Sequence, residues 1–177
     1  MKSWRTRIST GTSMIETPLV LWILIFGMIM PTIALATMGI RYAFFLNAAR
    51  LAVHSAAQAK SFQKDFPPDL SAQTRAQQTA KTSCESFSGV TLNTVTTSIV
   101  VTPVAAGEPI AQTAKLAGPA FEENNLYQLQ VKLDGQLNPL VPVPSGVVGI
   151  NVPGLTAPYP VQTSAKEVSE NPQGLNL

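Results

Sequence analysis

The longest apolar run of the chain lies near its amino terminus. Between Glu16 and Arg41 no residue is charged, and this stretch is rich in Leu, Ile and Met. As a helix at about 1.5 Å per residue, residues 17–40 would extend about 36 Å. The hydrocarbon core of a bilayer is about 30 Å thick, so the pattern predicts a helix long enough to span a membrane.

Past Arg41 the apolar residues recur at helical spacing of three and four, and many are alanine. We predict one long helix over about residues 13–62, whose second half is amphipathic. Ordinary core packing is the favoured interpretation of that face, and a continuous surface between subunits is the alternative. The face comprises Phe45, Ala48, Ala49, Ala52, Ala56, Ala59 and Phe62.

Pro31 falls inside the predicted helix, where it removes one backbone N–H. A kink or a locally loosened turn is expected there, either as a simple bend or as a functional melting point. The helical pattern ends before Pro67 and Pro68, because proline disfavours helix at the preceding residue.

A second helix and a small sheet are predicted after residue 67. Asp69 or Ser71 would cap this helix and Gly89 would end it. Its apolar face comprises Ala72, Ala76, Ala80, Cys84 and Phe87. The period of two over residues 95–101 and 127–133 predicts strands with one buried and one wet face.

The remaining segments complete an α+β fold with an antiparallel sheet of about three strands. We predict a loop over residues 103–119, a turn at Asp134-Gly135, and a last strand over 159–168. The proline-rich stretch 138–160 would be irregular, either as cover for the small core or as a partner-facing patch. The predicted division is 1–11 leader, 12–40 membrane and assembly helix, 41–66 amphipathic continuation, 67–168 outer domain and 169–177 flexible tail.

Charge and composition indicate an orientation and exclude one class of partner. The net charge is +2 and the cations do not interleave with aromatic residues, which argues against nucleic-acid binding. Basic residues are more numerous before the apolar run than just after it, so the amino terminus is predicted to be cytoplasmic. They are Lys2, Arg5 and Arg7 before the run, and Arg41 and Arg50 after it.

No catalytic or metal-binding pattern emerges from the sequence, so we expect neither an enzyme nor a cofactor. Cys84 is the only cysteine, which rules out a disulfide within the chain. His54 is the only histidine and has no Cys or His neighbour at ligand spacing, so no zinc site is expected. The pair Glu122-Glu123 fits a solvated loop better than a cation site.

The segment Gly11-Thr12-Ser13-Met14-Ile15-Glu16 carries a family resemblance. A short basic leader ending in glycine, with glutamate five positions later and an apolar helix following, resembles the class III signal of type IV pilin-like proteins. This segment and Asn47-Ala48-Ala49-Arg50 are similar to the TadE/TadG-like minor pilins of tight-adherence (Tad) pili. The resemblance covers roughly residues 5–60.

The resemblance implies a substrate of a prepilin peptidase, cut between Gly11 and Thr12. It also implies a single-pass inner-membrane protein with a periplasmic or extracellular carboxy-terminal domain. Its partners would be membrane lipid, other pilin subunits and the pilus assembly platform, with a role in adhesion or secretion. From the chemistry, an unpaired Glu16 in an apolar setting favours its protonated form. Pairing with the Thr12 amine of a neighbouring copy would offset desolvation and select one register.

Two other interpretations remain open at this point. The first is a secreted binding domain whose signal peptide is cut after Ala36, since Ala34-Leu35-Ala36 fits the small-residue cleavage pattern. The second is a single-span membrane protein whose outer domain binds a partner. The mature amino terminus separates the three: Thr12, Thr37 or Met1.

Overall fold

The chain is described by a computed structural model that covers residues 13–105, 107–140, 153–154 and 156–177, with side chains from residue 17 onward. A long helical stretch is followed by a second helix and a sheet, which is the α+β architecture predicted from the sequence. The elements are α1 (Ser13–Leu24), a π-helical segment (Ile25–Ile29), α2 (Met30–Ala57), α3 (Ala72–Glu85), β1 (Val90–Pro103), β2 (Ile110–Gln112), β3 (Asn125–Leu137), β4 (Tyr159–Val168) and a 3₁₀ turn (Pro172–Asn176).

The four strands form one antiparallel sheet in the order β2-β1-β3-β4. One strand more than expected is present, because Ile110–Gln112, within the predicted loop, pairs with Ile99–Val101. The alternation along β3 divides the sheet into a buried face and a wetter one, as the period of two predicts. The buried face of β3 includes Tyr127, Leu129, Val131, Leu133 and Leu137.

The helices α2 and α3 pack together and cover the buried face of the sheet. All seven residues of the predicted apolar face are buried in this core, so ordinary core packing is the correct interpretation. The helix ends earlier than predicted, at Ala57 rather than near Phe62. Phe62 is nevertheless fully buried, since the chain after α2 folds back under the carboxy-terminal segment.

The second helix begins where the sequence predicts. Ser71 caps α3 by accepting a hydrogen bond from the backbone N–H of Thr74, at 3.4 Å. Its buried face consists of Ala72, Ala76, Ala80 and Cys84. Alanine on the facing surfaces of α2 and α3 allows a close interaxial approach. Phe87 lies beyond the end of α3 and is partly exposed, contrary to the prediction that it continues the face.

The predicted turn at Asp134-Gly135 is wrong, because both residues lie inside β3. A Cβ atom at position 135 would lie 2.5 Å from the carbonyl oxygen of Thr91 and 2.9 Å from the Phe45 ring. Glycine is therefore required for a close approach of helix and sheet rather than for a turn. Asp134 lies on the wetter face and accepts a 2.5 Å hydrogen bond from the Gln162 amide.

The carboxy-terminal segment is held in place, which corrects the predicted flexible tail over 169–177. Its carbonyls accept backbone hydrogen bonds from Phe62 (3.2 Å, Gly174 oxygen) and Leu116 (2.9 Å, Leu175 oxygen). Leu175 is only 2% exposed and belongs to the core. The two leucines of this short, otherwise polar tail, Leu175 and Leu177, gave little sequence signal for the anchoring.

Candidate membrane and assembly surface

The first half of the helical stretch lies outside the folded domain. From Thr17 to Ile40 no residue is buried, and large side chains such as Trp22 and Met28 are 62% and 67% exposed. The helix spanning Thr17–Ala57 is long and apolar enough to cross a membrane. A helix segment that is apolar on all sides needs lipid or other helices around it, and the outer domain buries none of the described residues from Thr17 to Ile40.

The predicted site residues lie at and before the start of this helix. Gly11 and Thr12 fall outside the described residues. The backbone of Glu16 belongs to the first turn of α1, and its side chain also falls outside what the structure describes.

Pro31 lies immediately after a π-helical segment, as the second residue of α2. The N–H of Met30 bonds the carbonyl of Ile25, five residues earlier, instead of four. Proline has no N–H to donate to the carbonyl of Gly27. The hydrogen bond just before it spans five residues instead of four, and the helix is wider at this turn. The Thr32 hydroxyl donates to the Met28 carbonyl at 2.7 Å in the same turn.

The topology brings several chain segments together where the apolar helix enters the domain. β1 begins, β3 ends and β4 begins at one edge of the sheet, with Val90 opposite Leu137 and Leu137 opposite Tyr159. The end of α3 leads directly into this edge. We call this the proximal end of the domain, defined in the described structure by residues 41–44, 86–90, 137–140 and 159.

Arg41 is the first charged residue after the apolar run, and it is 9% exposed. Its guanidinium donates to the carbonyl of Asn138 and lies against Gly89, where a Cβ atom would collide with it. Gly89 has φ +83°, which favours glycine, so the turn after α3 leaves room for the guanidinium. The Arg41 side chain thus links α2, at the point where the helix enters the domain, to the segments that contain Gly89 and Asn138.

No carboxylate balances the charge of Arg41 among the described residues, where the ion pairs involve other cations. The residues outside the described ranges include no Asp or Glu by sequence. Glu16 is the one acid whose side chain is not described, and it lies 25 positions earlier, about 37 Å along a helix. Arg41 therefore has no carboxylate partner among the side chains that the structure describes.

Exposed aromatic side chains surround this buried cation. Phe44 and Phe87 stack with ring centroids 3.7 Å apart, joining α2 to the turn after α3. Tyr42 and Tyr159 line a shallow cavity of about 340 Å³, and they are 42% and 49% exposed. Leu140 adds a further exposed apolar side chain. The proximal end is thus aromatic and apolar around one cation.

The opposite, distal end of the domain carries two of the four ion pairs found among the described residues. Lys60 Nζ lies 2.7 Å from Asp69 Oδ2, and Arg75 lies 3.8 Å from Asp69 Oδ1. The hydrogen bond and charge of Lys60 lower the pKa of Asp69. The Ser71 backbone N–H donates to Asp65 at 2.6 Å and lowers the pKa of that carboxyl. These contacts hold the loop between α2 and α3 in a fixed conformation.

The surroundings of the single histidine and the single cysteine suit a structural role rather than a reactive one. His54 Nδ1 donates to Glu167 Oε1 at 2.7 Å, joining α2 to β4, and this hydrogen bond raises the pKa of His54. Cys84 is buried on α3, and burial raises the pKa of its thiol, which disfavours the reactive thiolate. Among the described residues no group of three or more His, Cys, Asp or Glu could hold a metal ion.

Sequence reasoning missed the role of Arg41, which it used only for charge balance. Two signals were available in the sequence. Arg41 is the first charged residue after the apolar run, and residues 86–89 and 138–158 are uncharged.

A scan against protein-family models and searches of curated proteins and of solved structures gave no match to this chain.

Proposed function

We propose that this protein is a pilin-like structural subunit of a Tad-type (type IV) pilus or a related secretion filament. The observation that carries the proposal is the division of the helical stretch from Ser13 to Ala57. No described residue of its apolar first part is buried, whereas its second part contributes one face to the core of an outer α+β domain. A subunit that inserts its helix among those of other copies needs this division.

The chemistry of assembly would centre on the residues before the apolar run. A prepilin peptidase on the cytoplasmic face would cut between Gly11 and Thr12 and free the α-amine of Thr12. That amine has an ordinary pKa near about 8 and is mostly protonated at neutral pH. The Glu16 carboxylate of one copy would pair with the Thr12 amine of the next, which favours one axial register over its neighbours.

The segment at Pro31 suits both the membrane and the filament. Helices that move from lipid into a bundle must adapt to new neighbours. A π-helical turn followed by proline gives the apolar part a point where backbone hydrogen bonds are already rearranged. The outer domain would lie on the periplasmic or external side, where it sets contacts as a minor subunit.

The mature amino terminus tests the proposal. Mass spectrometry of the chain from native host membranes is expected to find a start at Thr12. Gly11→Ala should abolish this start, because the peptidase requires the glycine. Gly39→Ala is the matched control, since a Cβ at position 39 meets no atom within 4 Å. In the same strain, Glu16→Ala should be processed normally but fail to enter filaments.

Two outcomes would overturn the proposal. A start at Thr37 would identify a secreted domain released by a cut within α2, and the argument from Glu16 would fall. An intact Met1 in both the native chain and the Gly11→Ala variant would identify a single-span anchored protein whose outer domain binds a partner.

A further inference from the structure

The two ends of the outer domain differ in charge more than in apolar exposure. The described connections at the proximal end, residues 86–89, 138–140 and 156–158, contain no charged residue. The distal connections, 58–71 and 104–124, contain eight charged residues. They are Lys60, Lys64, Asp65, Asp69, Glu108, Lys115, Glu122 and Glu123. Exposed aromatic side chains occur at both ends, for instance Phe121 at the distal end, so the uncharged connections distinguish the proximal end, beside which Lys81 and Glu85 form one exposed pair of opposite charges.

The proximal end is also where the apolar helix leaves the domain. Ile40, the last residue of the uncharged run, is 59% exposed, and Arg41 directly follows it. If residues 17–40 cross the hydrocarbon core, Arg41 lies at the depth of the lipid headgroups. Tyr42 and Tyr159 then lie at the membrane–water boundary, where aromatic rings with a polar group are enriched.

We propose that the proximal end docks on the phospholipid headgroup layer, and that Arg41 binds a lipid phosphate. A guanidinium carries five N–H donors in a geometry that suits a phosphate, and among the described residues Arg41 donates only to the Asn138 carbonyl. Its burial makes an unbalanced positive charge costly. A phosphate from the adjacent lipid supplies the missing anion without a carboxylate from the chain.

This surface would orient the domain before any assembly step. A rigid link from Arg41 to Gly89 and Asn138 transmits contact with the lipid to the sheet. The helix axis would then keep a fixed angle to the domain, and the domain would not rotate freely at the membrane surface. The inference rests on membrane insertion of the apolar helix, which the proposed function shares, and does not require filament formation.

The test uses the full chain in nanodiscs of mixed phosphatidylcholine and phosphatidylglycerol, at one copy per disc. In a Cys84→Ser background, an environment-sensitive fluorophore is attached through Tyr159→Cys at the proximal end or through Glu123→Cys at the distal end. A nitroxide on the lipid headgroup is expected to quench the probe at 159 and leave the probe at 123 bright. Leu140→Cys provides a second proximal position should the first disturb packing.

The charge of Arg41 is tested in the same system. Arg41→Gln should shift the docked-to-undocked ratio by roughly fivefold, the worth of one basic side chain at an anionic surface. Arg41→Lys should retain most of the quenching, and Arg50→Gln, on the same helix farther from the membrane, should leave it unchanged. Equal quenching in wild type and Arg41→Gln would overturn the assignment of phosphate to Arg41.

Other outcomes overturn the docking itself. Bright probes at both positions would mean that the domain stands clear of the bilayer, and equal quenching at both would mean that it has no preferred end. Quenching that appears only with two copies per disc would assign the surface to a second copy. Insertion is measured separately, in a Trp4→Phe variant, by quenching of Trp22 with lipids brominated in their acyl chains. Failure of insertion is thereby distinguished from failure of docking.

Discussion

The two halves of the long helical stretch have similar local geometry but opposite surroundings. From Thr17 to Ile40 no residue is buried, whereas after Arg41 one face is buried almost completely by α3 and the sheet. The difference follows from side-chain size and periodicity. Large residues on every side of the first half fit lipid or a helix bundle, while alanines at three- and four-residue spacing fit a close partner in the same chain. Substitutions in the two halves should therefore have effects in different assays.

The largest contrast is expected for phenylalanine truncations. Phe45 is fully buried against the sheet, so Phe45→Ala should lower the free energy of unfolding of the domain by about 3–5 kcal/mol. Phe26, 53% exposed in the first half, should give no change in the same measurement when replaced by alanine. Urea unfolding in detergent, followed by near-UV circular dichroism, reports on the domain.

Phe44→Ala provides a control of intermediate effect beside Phe45. Phe44 is partly exposed and stacks on Phe87, so its loss should cost about 1 kcal/mol. If Phe26→Ala destabilised the domain as much as Phe45→Ala, the two halves would be one cooperative unit and the division drawn here would be wrong.

The division between the halves was largely predictable from sequence, for a physical reason. Charge ends at Glu16 and resumes at Arg41, and helical periodicity depends on neighbours three and four residues apart. The strands 127–133 and 159–168 were predictable on the same grounds, because alternation is a local pattern. All seven residues of the predicted apolar face are buried, five of them on α2 and two, Ala59 and Phe62, just beyond its end.

What the sequence did not predict depends on contacts between distant residues. The turn signal at Asp134-Gly135 was overridden by the Phe45 ring, which lies 90 positions away in the chain. The anchored tail is short and is held by partners far along the chain. Strand β2 pairs with nearby β1, but its three residues are too few to show a period of two. The burial of Arg41 likewise depends on Gly89 and Asn138, which no local pattern connects to it.

Glycine substitutions test the same comparison of the two helix halves, with a smaller expected change in the free energy of unfolding. Gly135→Ala should destabilise the domain by about 1–3 kcal/mol, because the new methyl group overlaps the Phe45 ring and the Thr91 carbonyl. Gly39→Ala, at the end of the first half, meets no atom within 4 Å, so it should leave domain unfolding unchanged. The same urea titrations measure both variants. A neutral Gly135→Ala would show that helix and sheet are not closely packed at this point.

The smallest effect is expected from the one titratable contact that joins the second half to β4. The pKa of His54 is raised above its ordinary value of 6.5, chiefly by its hydrogen bond to Glu167 and then by the charge of that carboxylate. Protonated His54 therefore stabilises the fold. This contribution is fully present below about pH 6.5, and it is lost as the pH rises through the raised pKa. Both side chains are partly exposed, so the change in stability should be small.

An NMR titration of the His54 ring measures this pKa directly. Glu167→Gln should bring it back toward the ordinary value and should flatten the dependence of unfolding on pH above 6.5. Glu85→Gln, which removes an exposed carboxylate on α3 without touching His54, should change neither. If the pKa of His54 stayed raised in Glu167→Gln, the charge of Glu170, which also raises it, would be the main cause. The contact between α2 and β4 would then contribute to packing only, and the second half of the helix would be held by its alanine face without electrostatic help.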